Sequence, residues 1–211
     1  WRPDREAMRA IVKVGSNAIV EQASVRAGFF LYTRLMYSLG VTMFAAHNIA
    51  MQFLGLTFNF ADGLSVAATS LVGQNLGRGR RDLSLLYGKV TQRVALALSL
   101  VLGALTALFR TPLGRLFIDP ATPGAGNVIL YAGQALLVVA LMQPFQMSAV
   151  VLSGALRGAG DNLYVAAVMT LCVSLLRPLM TFLAIDVFRL GLAMTWLMSL
   201  SEIGLRLIFF Y

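Results

Sequence analysis

Long apolar runs decide the class of this chain, because several reach about 20 residues, the length at which a helix crosses roughly 30 Å of hydrocarbon. Hydrophobic residues make up 58% of the 211 positions, and charged residues only 12%. A single soluble core of this size would leave part of that apolar surface in water. The alternation of apolar and polar residues that marks a strand is absent. We therefore predict an all-α membrane protein embedded in the lipid bilayer.

The apolar runs predict six spans separated by joints. They cover residues 14–39, 44–72, 94–109, 128–156, 163–185 and 190–211. Residues 1–13 hold four basic and two acidic residues, which predicts an amphipathic linker at the cytoplasmic surface. Residues 14–211 form one predicted six-helix transmembrane lobe. Because the chain starts at Trp1 and stops within an apolar run, we expect it to be a piece of a longer protein.

The joint between the second and third spans fixes the predicted topology. Residues 73–93 hold five basic residues: Arg78, Arg80, Arg81, Lys89 and Arg93. Basic joints lie on the cytoplasmic side of a membrane. Three glycines are expected to supply the positive φ angles that end the second helix, at Gly73, Gly77 and Gly79. Asp82 or Ser84 should cap the third helix.

The remaining basic residues favour the same orientation. Ten basic residues fall in the predicted inner segments, against three in the predicted outer loops, at Arg110, Arg115 and Arg189. The amino end and residues 73–93 and 157–162 are therefore predicted to be cytoplasmic, and residues 119–127 external.

Two carboxylates interrupt the first two spans at similar depth. Glu21 lies about 20 residues before the turn near Val41, and Asp62 lies about 21 residues after it. At about 1.5 Å per residue, adjacent antiparallel helices would carry both groups at one level. Ionisable groups inside a membrane cost at least a few kcal/mol each, so they usually line a site. We predict that Glu21 and Asp62 share a site that binds and releases a proton.

Other polar residues extend this predicted site. The predicted substrate cavity contains Gln22, Arg26, Asn59, Gln143 and Gln146. A purely structural alternative stays open, in which Glu21 forms an ion pair with Arg26 or Lys13. In that alternative Asp62 caps a local distortion of the helix at Gly63.

The last two spans carry a predicted structural ion pair. Arg177 and Glu202 fall at comparable depth, and Arg206 lies one turn beyond Glu202. A buried ion pair that joins two helices explains these residues better than a role in transport. Pro144, in the fourth span, is expected to kink its helix because it removes a backbone hydrogen bond.

Several functions are excluded by what the sequence lacks. The net charge of +8 gathers at helix ends without interleaved aromatic residues, which argues against nucleic acid as a partner. Cys172 is the single cysteine and is expected to be a packing residue. The Gly-rich basic joints follow no β-strand, so a phosphate-binding loop is not predicted. Because no catalytic or metal-ligand constellation is present, we predict no catalytic residues, no metal site and no enzyme.

Four motifs together resemble the multidrug and toxic compound extrusion (MATE) transporters. They are AATSLVGQNLGRGRRD at 67–82, PF at 144–145 followed by SGALRGAGDN at 153–162, KVGSNAIVEQ at 13–22, and RP at 177–178. The resemblance covers essentially the whole chain. It implies the second lobe of a twelve-helix transporter, whose amino-terminal six-helix lobe is not in this sequence.

The resemblance also implies an activity, namely export of small amphiphilic, often cationic compounds across the inner membrane. Inward flow of protons or sodium would drive it as the two lobes rock about a central site, with no bound cofactor. In the NorM-like branch an acidic residue stands eleven positions before the LRG arginine, where this chain has Gln146. Glu21 follows Gly15 by six residues, as in the DinF-like branch. The resemblance therefore implies proton coupling rather than sodium coupling.

Two alternatives remain open. A flippase of lipid-linked precursors would share the fold and could use Arg26 and Arg34 to bind a pyrophosphate, although the LRGAGDN motif argues against it. A six-helix scaffold without transport activity is the second. Six further spans encoded upstream of Trp1 would separate a half-transporter from a scaffold.

Overall fold

The computed structural model describes residues 5–118 and 124–211, and nearly all of these residues are helical. The α-helices are α1 (Arg5–Tyr37), α2 (Val41–Gly77), α3 (Arg81–Leu108), α4 (Arg110–Leu116), α5 (Ala125–Ala159), α6 (Asn162–Met169), α7 (Arg177–Phe182) and α8 (Leu192–Phe210). Two π-helical segments, Thr170–Leu176 and Leu183–Val187, join onto α6 and α7 to complete one long helix. The predicted all-α fold is confirmed.

Five helices in the described part of the chain are long and apolar enough to cross a membrane. They are α2, α3, α5, the continuous helix Asn162–Val187, and α8. Helix α1 is long enough at 33 residues, but its sequence is interrupted by polar and charged side chains. Residues 1–4 of the predicted linker lie outside the described residues, and its remainder is the first part of α1.

The basic joint is shorter than predicted, because both flanking helices continue past the apolar runs. Only residues 78–80 separate α2 from α3. Gly79 has the expected positive φ of 74°, but Gly73 and Gly77 are helical, so that part of the prediction is wrong. Arg80 precedes α3 without a side-chain cap, and the predicted capping role of Ser84 is wrong, because its hydroxyl donates to the carbonyl of Val72 at 3.2 Å. The Asp82 carboxylate, the other predicted cap, accepts from backbone amides of the first turn at Asp82 and Leu83.

Helices α2 and α5 form the centre of the lobe and pack against each other closely. A Cβ added at Gly154 would lie 2.5 Å from the carbonyl oxygen of Ser65, so only glycine allows this approach. The Thr69 hydroxyl donates to the carbonyl of Gly154 at 2.8 Å. Small residues at helix crossings are the usual means of close packing in membranes. Helices α3 and α8 pack against α5, and α1 packs against the helix 162–187.

Three prolines lie within helical segments of the described residues, and one of them is Pro112 in the short helix α4. Helix α5 continues through Pro144 without ending, and Pro178 stands at the start of α7 directly after the first π-helical segment. The predicted outer loop is partly helical, since α4 occupies residues 110–116, and residues 119–123 of that loop lie outside the described residues.

Candidate functional site

A small polar cavity lies where α1, α2 and α5 meet, with Arg206 of α8 at its edge. Its volume is about 140 Å³, and its charged lining residues are Glu21, Asp62, Arg157 and Arg206. The two carboxylates that the sequence places at one depth therefore line one cavity. The hydroxyls of Ser65 and Ser153 add polar groups to its wall.

Glu21 forms an ion pair with an arginine that is distant in sequence. The Nη2 of Arg157 donates to the Oε1 of Glu21 at 2.6 Å. The side chain of Glu21 is 8% exposed, whereas that of Arg157 is 34% exposed. Arg26 was an expected partner, but its side chain is exposed and does not contact Glu21. The side chain of Lys13, the other expected partner, lies outside the described residues.

The side chain of Asp62, unlike that of Glu21, is not buried. Its side chain is exposed, and within residues 5–118 and 124–211 it makes no hydrogen bond or ion pair. Helix α2 continues without a break through Gly63, so the expected helix distortion is not found there. An unpaired carboxylate at the mouth of the cavity remains free to attract a cation.

Two of the predicted cavity residues lie outside the cavity, on the exposed surface of the lobe. Gln22 lines the cavity beside Glu21, whereas Arg26 and Asn59 are exposed and are not among its lining residues. The polar faces of α1 and α2 thus extend beyond the cavity onto a surface that no described residue covers.

Gln143 and Gln146 do not lie in this cavity, in contrast to the prediction. Each is 1% exposed, and each finds a partner inside the lobe. The Nε2 of Gln143 donates to the Thr106 hydroxyl at 3.2 Å, and the Oε1 of Gln146 accepts from the Nη2 of Arg206 at 2.6 Å. Because helix α5 is apolar on all sides, its sequence pattern does not show which face an amide occupies.

The second carboxylate cluster is buried within the lobe, although one member, Arg206, also lines the polar cavity. The Nε and Nη2 of Arg177 donate to the Oε2 of Glu202 at 3.1 and 2.8 Å. The Nε of Arg206 lies 3.7 Å from the other carboxylate oxygen. The side chains of Arg177, Arg206 and Glu202 are 6%, 3% and 0% exposed. The guanidinium groups of Arg177 and Arg206 therefore share the Glu202 carboxylate. Gln146 provides a neutral acceptor for Arg206.

Sequence reasoning missed two residues of the cavity, Arg157 and Arg206. The LRGAGDN motif contains Arg157, but its position beside a predicted joint suggested a cytoplasmic loop charge. In the structure α5 continues to Ala159, so Arg157 belongs to the last helical turn and reaches into the lobe. Arg206 was noted only as a neighbour of Glu202, although it connects that cluster to the cavity.

His47 is not part of the site. It is 2% exposed and lies against the rings of Tyr32, Phe44 and Trp196. The aromatic residues of α1, α2 and α8 enclose it in the core near the turn at Gly40.

Comparison with known proteins identifies the family. The MatE family model matches residues 18–183. This chain belongs to the MATE family. It is 34% identical over 165 residues to a probable multidrug resistance protein NorM of Shewanella oneidensis, covering 76% of this chain and 34% of that protein. It is 27% identical to a NorM protein of Thermotoga maritima, covering 99% of this chain and 45% of that protein.

Solved MATE structures have the same fold. A crystal structure of a MATE protein in complex with MaL6 superposes with a TM-score of 0.88 at 18% identity, covering 99% of this lobe and 46% of that chain. An outward-facing MATE transporter gives a TM-score of 0.85 at 18% identity, covering 98% and 45%. The MATE chain described here thus spans about a third to a half of the relatives it matches.

Family membership confirms several predictions at a coarse level. MATE proteins are multi-pass membrane transporters and not enzymes, as expected. The relatives named above carry NorM names, and the assignment to the DinF-like branch stays a prediction.

Proposed function

We propose that this MATE lobe is the carboxy-terminal half of a proton-coupled antiporter that exports amphiphilic, often cationic compounds across the inner membrane. The proposal is supported by the family match and by the share of the relatives that the lobe covers. The exposed polar faces of α1 and α2 need a second wall, which a six-helix lobe of the same fold would supply.

The Glu21–Arg157 pair is the observation that carries this proposal. Glu21 is buried beside a cavity, and its partner is a third exposed, so water can reach the pair. A proton on Glu21 would neutralise the carboxylate and weaken its bond to Arg157. Arg157 would then be free to change partners, which converts proton binding into a movement at the end of α5.

Asp62 supports a cationic substrate class. Its carboxylate is unpaired within the described residues and stands at the open side of the cavity. Phe58 lines the same cavity, and the exposed chain of Val66 lies one helical turn from Asp62 on α2. A carboxylate beside such apolar side chains suits an amphiphilic cation.

Transport assays on the complete polypeptide that carries this lobe test the proposal. In proteoliposomes with an imposed pH gradient, wild type should move ethidium against the proton flow. Glu21→Gln should reduce the rate at least tenfold. Asp186→Asn, which removes an exposed carboxylate outside the cavity, is the matched control and should keep full activity. Equal activity of wild type and Glu21→Gln would reject Glu21 as the coupling residue. Movement of a lipid-linked pyrophosphate instead of ethidium would support a flippase.

Topology is tested separately in whole cells. In a Cys172→Ala background, a cysteine at position 126 should react with an impermeant thiol reagent, and a cysteine at position 80 should not. Both positions are exposed, so reactivity reports only the side of the membrane. Labelling of position 80 in intact cells would reverse the proposed orientation.

A further inference from the structure

An apolar groove opens at the basic end of the lobe, on the other side of α5 from the polar cavity. Its volume is about 490 Å³, and residues of α2, α3, α5 and the end of α8 line it. Leu152 and Leu156 of α5 face this groove, whereas Ser153 and Arg157 of the same helix face the polar cavity. The groove is therefore independent of the proposed transport site.

Two basic residues mark the groove on α3. Arg81 and Lys89 line it together with Leu85, at intervals of four residues along one helical face. Eight residues span about 12 Å, so a single phosphate can lie between both side chains, which are long and flexible. No acidic residue is among the lining residues within the described part of the chain.

The surroundings of the groove are also cationic. Arg78, Arg80 and Arg93 lie on the same joint and helix. Of the nearby carboxylates, Asp82 is already paired with Arg80 at 3.2 Å, and Asp161 is exposed beyond the end of α5. The rim therefore attracts anions, while the interior formed by side chains such as Val72 and Leu76 excludes water. A bound molecule must combine a negative group with an apolar body.

We propose that the groove binds an anionic phospholipid, with its phosphate between Arg81 and Lys89 and an acyl chain against the leucines of α3 and α5. Basic pockets between membrane helices suit the head groups of such lipids. The groove lies at the end of membrane-spanning helices, where head groups are found. Leu85 and Leu86 are 67% and 52% exposed at its edge, so the groove opens sideways toward the bilayer.

Lipid titration of the complete protein in detergent, followed by native mass spectrometry, tests this site. Phosphatidylglycerol should bind at least tenfold more tightly than phosphatidylcholine of the same chain length, since each basic contact contributes on the order of 1 kcal/mol. Arg81→Gln/Lys89→Gln should remove this preference. The matched control, Arg78→Gln/Arg93→Gln, removes equal charge outside the groove and should change phosphatidylglycerol affinity less than threefold.

A groove-filling variant tests the acyl-chain part. A Cβ at Gly88 would contact only the Cγ2 of Val72, at 3.9 Å, so Gly88→Phe can occupy the groove without a clash with the backbone. It should lower phosphatidylglycerol affinity at least fivefold with all charges present. Gly204→Phe, at a helix position with open space around it, is the control and should bind normally. If Arg81→Gln/Lys89→Gln does not fold, Gly88→Phe still tests whether the groove binds the lipid.

Three results would overturn the proposal. Equal losses in the two double variants would show that the basic surface as a whole attracts lipid. Unchanged binding by Gly88→Phe would show that no chain enters the groove. Displacement of phosphatidylglycerol by millimolar glycerol 3-phosphate would show a site for free phosphate compounds rather than for a lipid.

Discussion

Two buried carboxylates in the described part of this lobe are paired with arginine, and the two clusters differ in access to water. Glu21 is paired with Arg157, whose side chain is 34% exposed beside a cavity. Glu202 is paired with Arg177 and approached by Arg206, and none of the three is more than 6% exposed. Under the proposed function, the same functional groups serve exchange of protons in one place and cohesion of helices in the other. Burial of the partner, rather than the identity of the acid, separates the two roles.

Glu202→Gln should have the largest effect on stability. It leaves Arg177 and Arg206 buried without a counter-charge, which costs about 3–5 kcal/mol. For a lobe of this size, we expect the melting temperature in detergent to fall by about 10 °C. The double variant Glu202→Gln/Arg177→Gln should recover part of this loss, because one uncompensated cation is removed. A change below about 1 kcal/mol would show that the cluster is not sealed.

Gln146→Leu should have an intermediate effect on stability. The Nη2 of Arg206 would lose its acceptor while staying buried, at a cost of about 1–3 kcal/mol. Gln143→Leu is the matched control, because it removes only a neutral hydrogen bond to Thr106 and should cost about 1 kcal/mol. Thermal unfolding of both variants in one detergent measures the difference. Equal losses would mean that the charge of Arg206 is compensated elsewhere.

Glu21→Gln should have the smallest effect on stability of the ion-pair variants. A partly exposed pair contributes roughly 0–1 kcal/mol, so the melting temperature should change little while transport by the complete protein falls strongly. Asp62→Asn should change stability less still, because Asp62 has no partner among the described residues, and should reduce transport less than Glu21→Gln. Loss of stability comparable to that of Glu202→Gln would place Glu21 with the structural cluster.

The fold could be predicted because hydrocarbon requires long apolar helices, and the order of five of them among the described residues follows from hydropathy. Helix ends could not be predicted as well. Helices α2 and α3 extend into the polar region at Gly77 and Arg81, where hydrogen bonds still favour helix but the sequence is no longer apolar. One of the four motifs behind the resemblance to MATE proteins, at residues 67–82, covers these same helix ends.

The site could be predicted only in part. Counting residues from a turn brought Glu21 and Asp62 to one level, because depth along a helix follows from the rise per residue. Partners could not be found in this way. Arg157 is 136 residues from Glu21 in sequence, and their contact depends on how α1 and α5 are arranged around α2. The rotation of α5, which decides where Gln143 and Gln146 point, depends on the same packing.

The π-helical segment Thr170–Leu176 determines the direction of the residue that follows it, Arg177. A π turn holds more residues than an α turn, so it changes the angular position of everything downstream. Deleting one residue there would rotate Arg177 by about 100° around the helix axis and away from Glu202. The hydropathy and charge of the segment would hardly change, yet the Arg177 guanidinium would rotate away from its buried ion pair. In this stretch the number of residues is therefore more constrained than their identity. Natural relatives should tolerate substitutions there more readily than insertions or deletions.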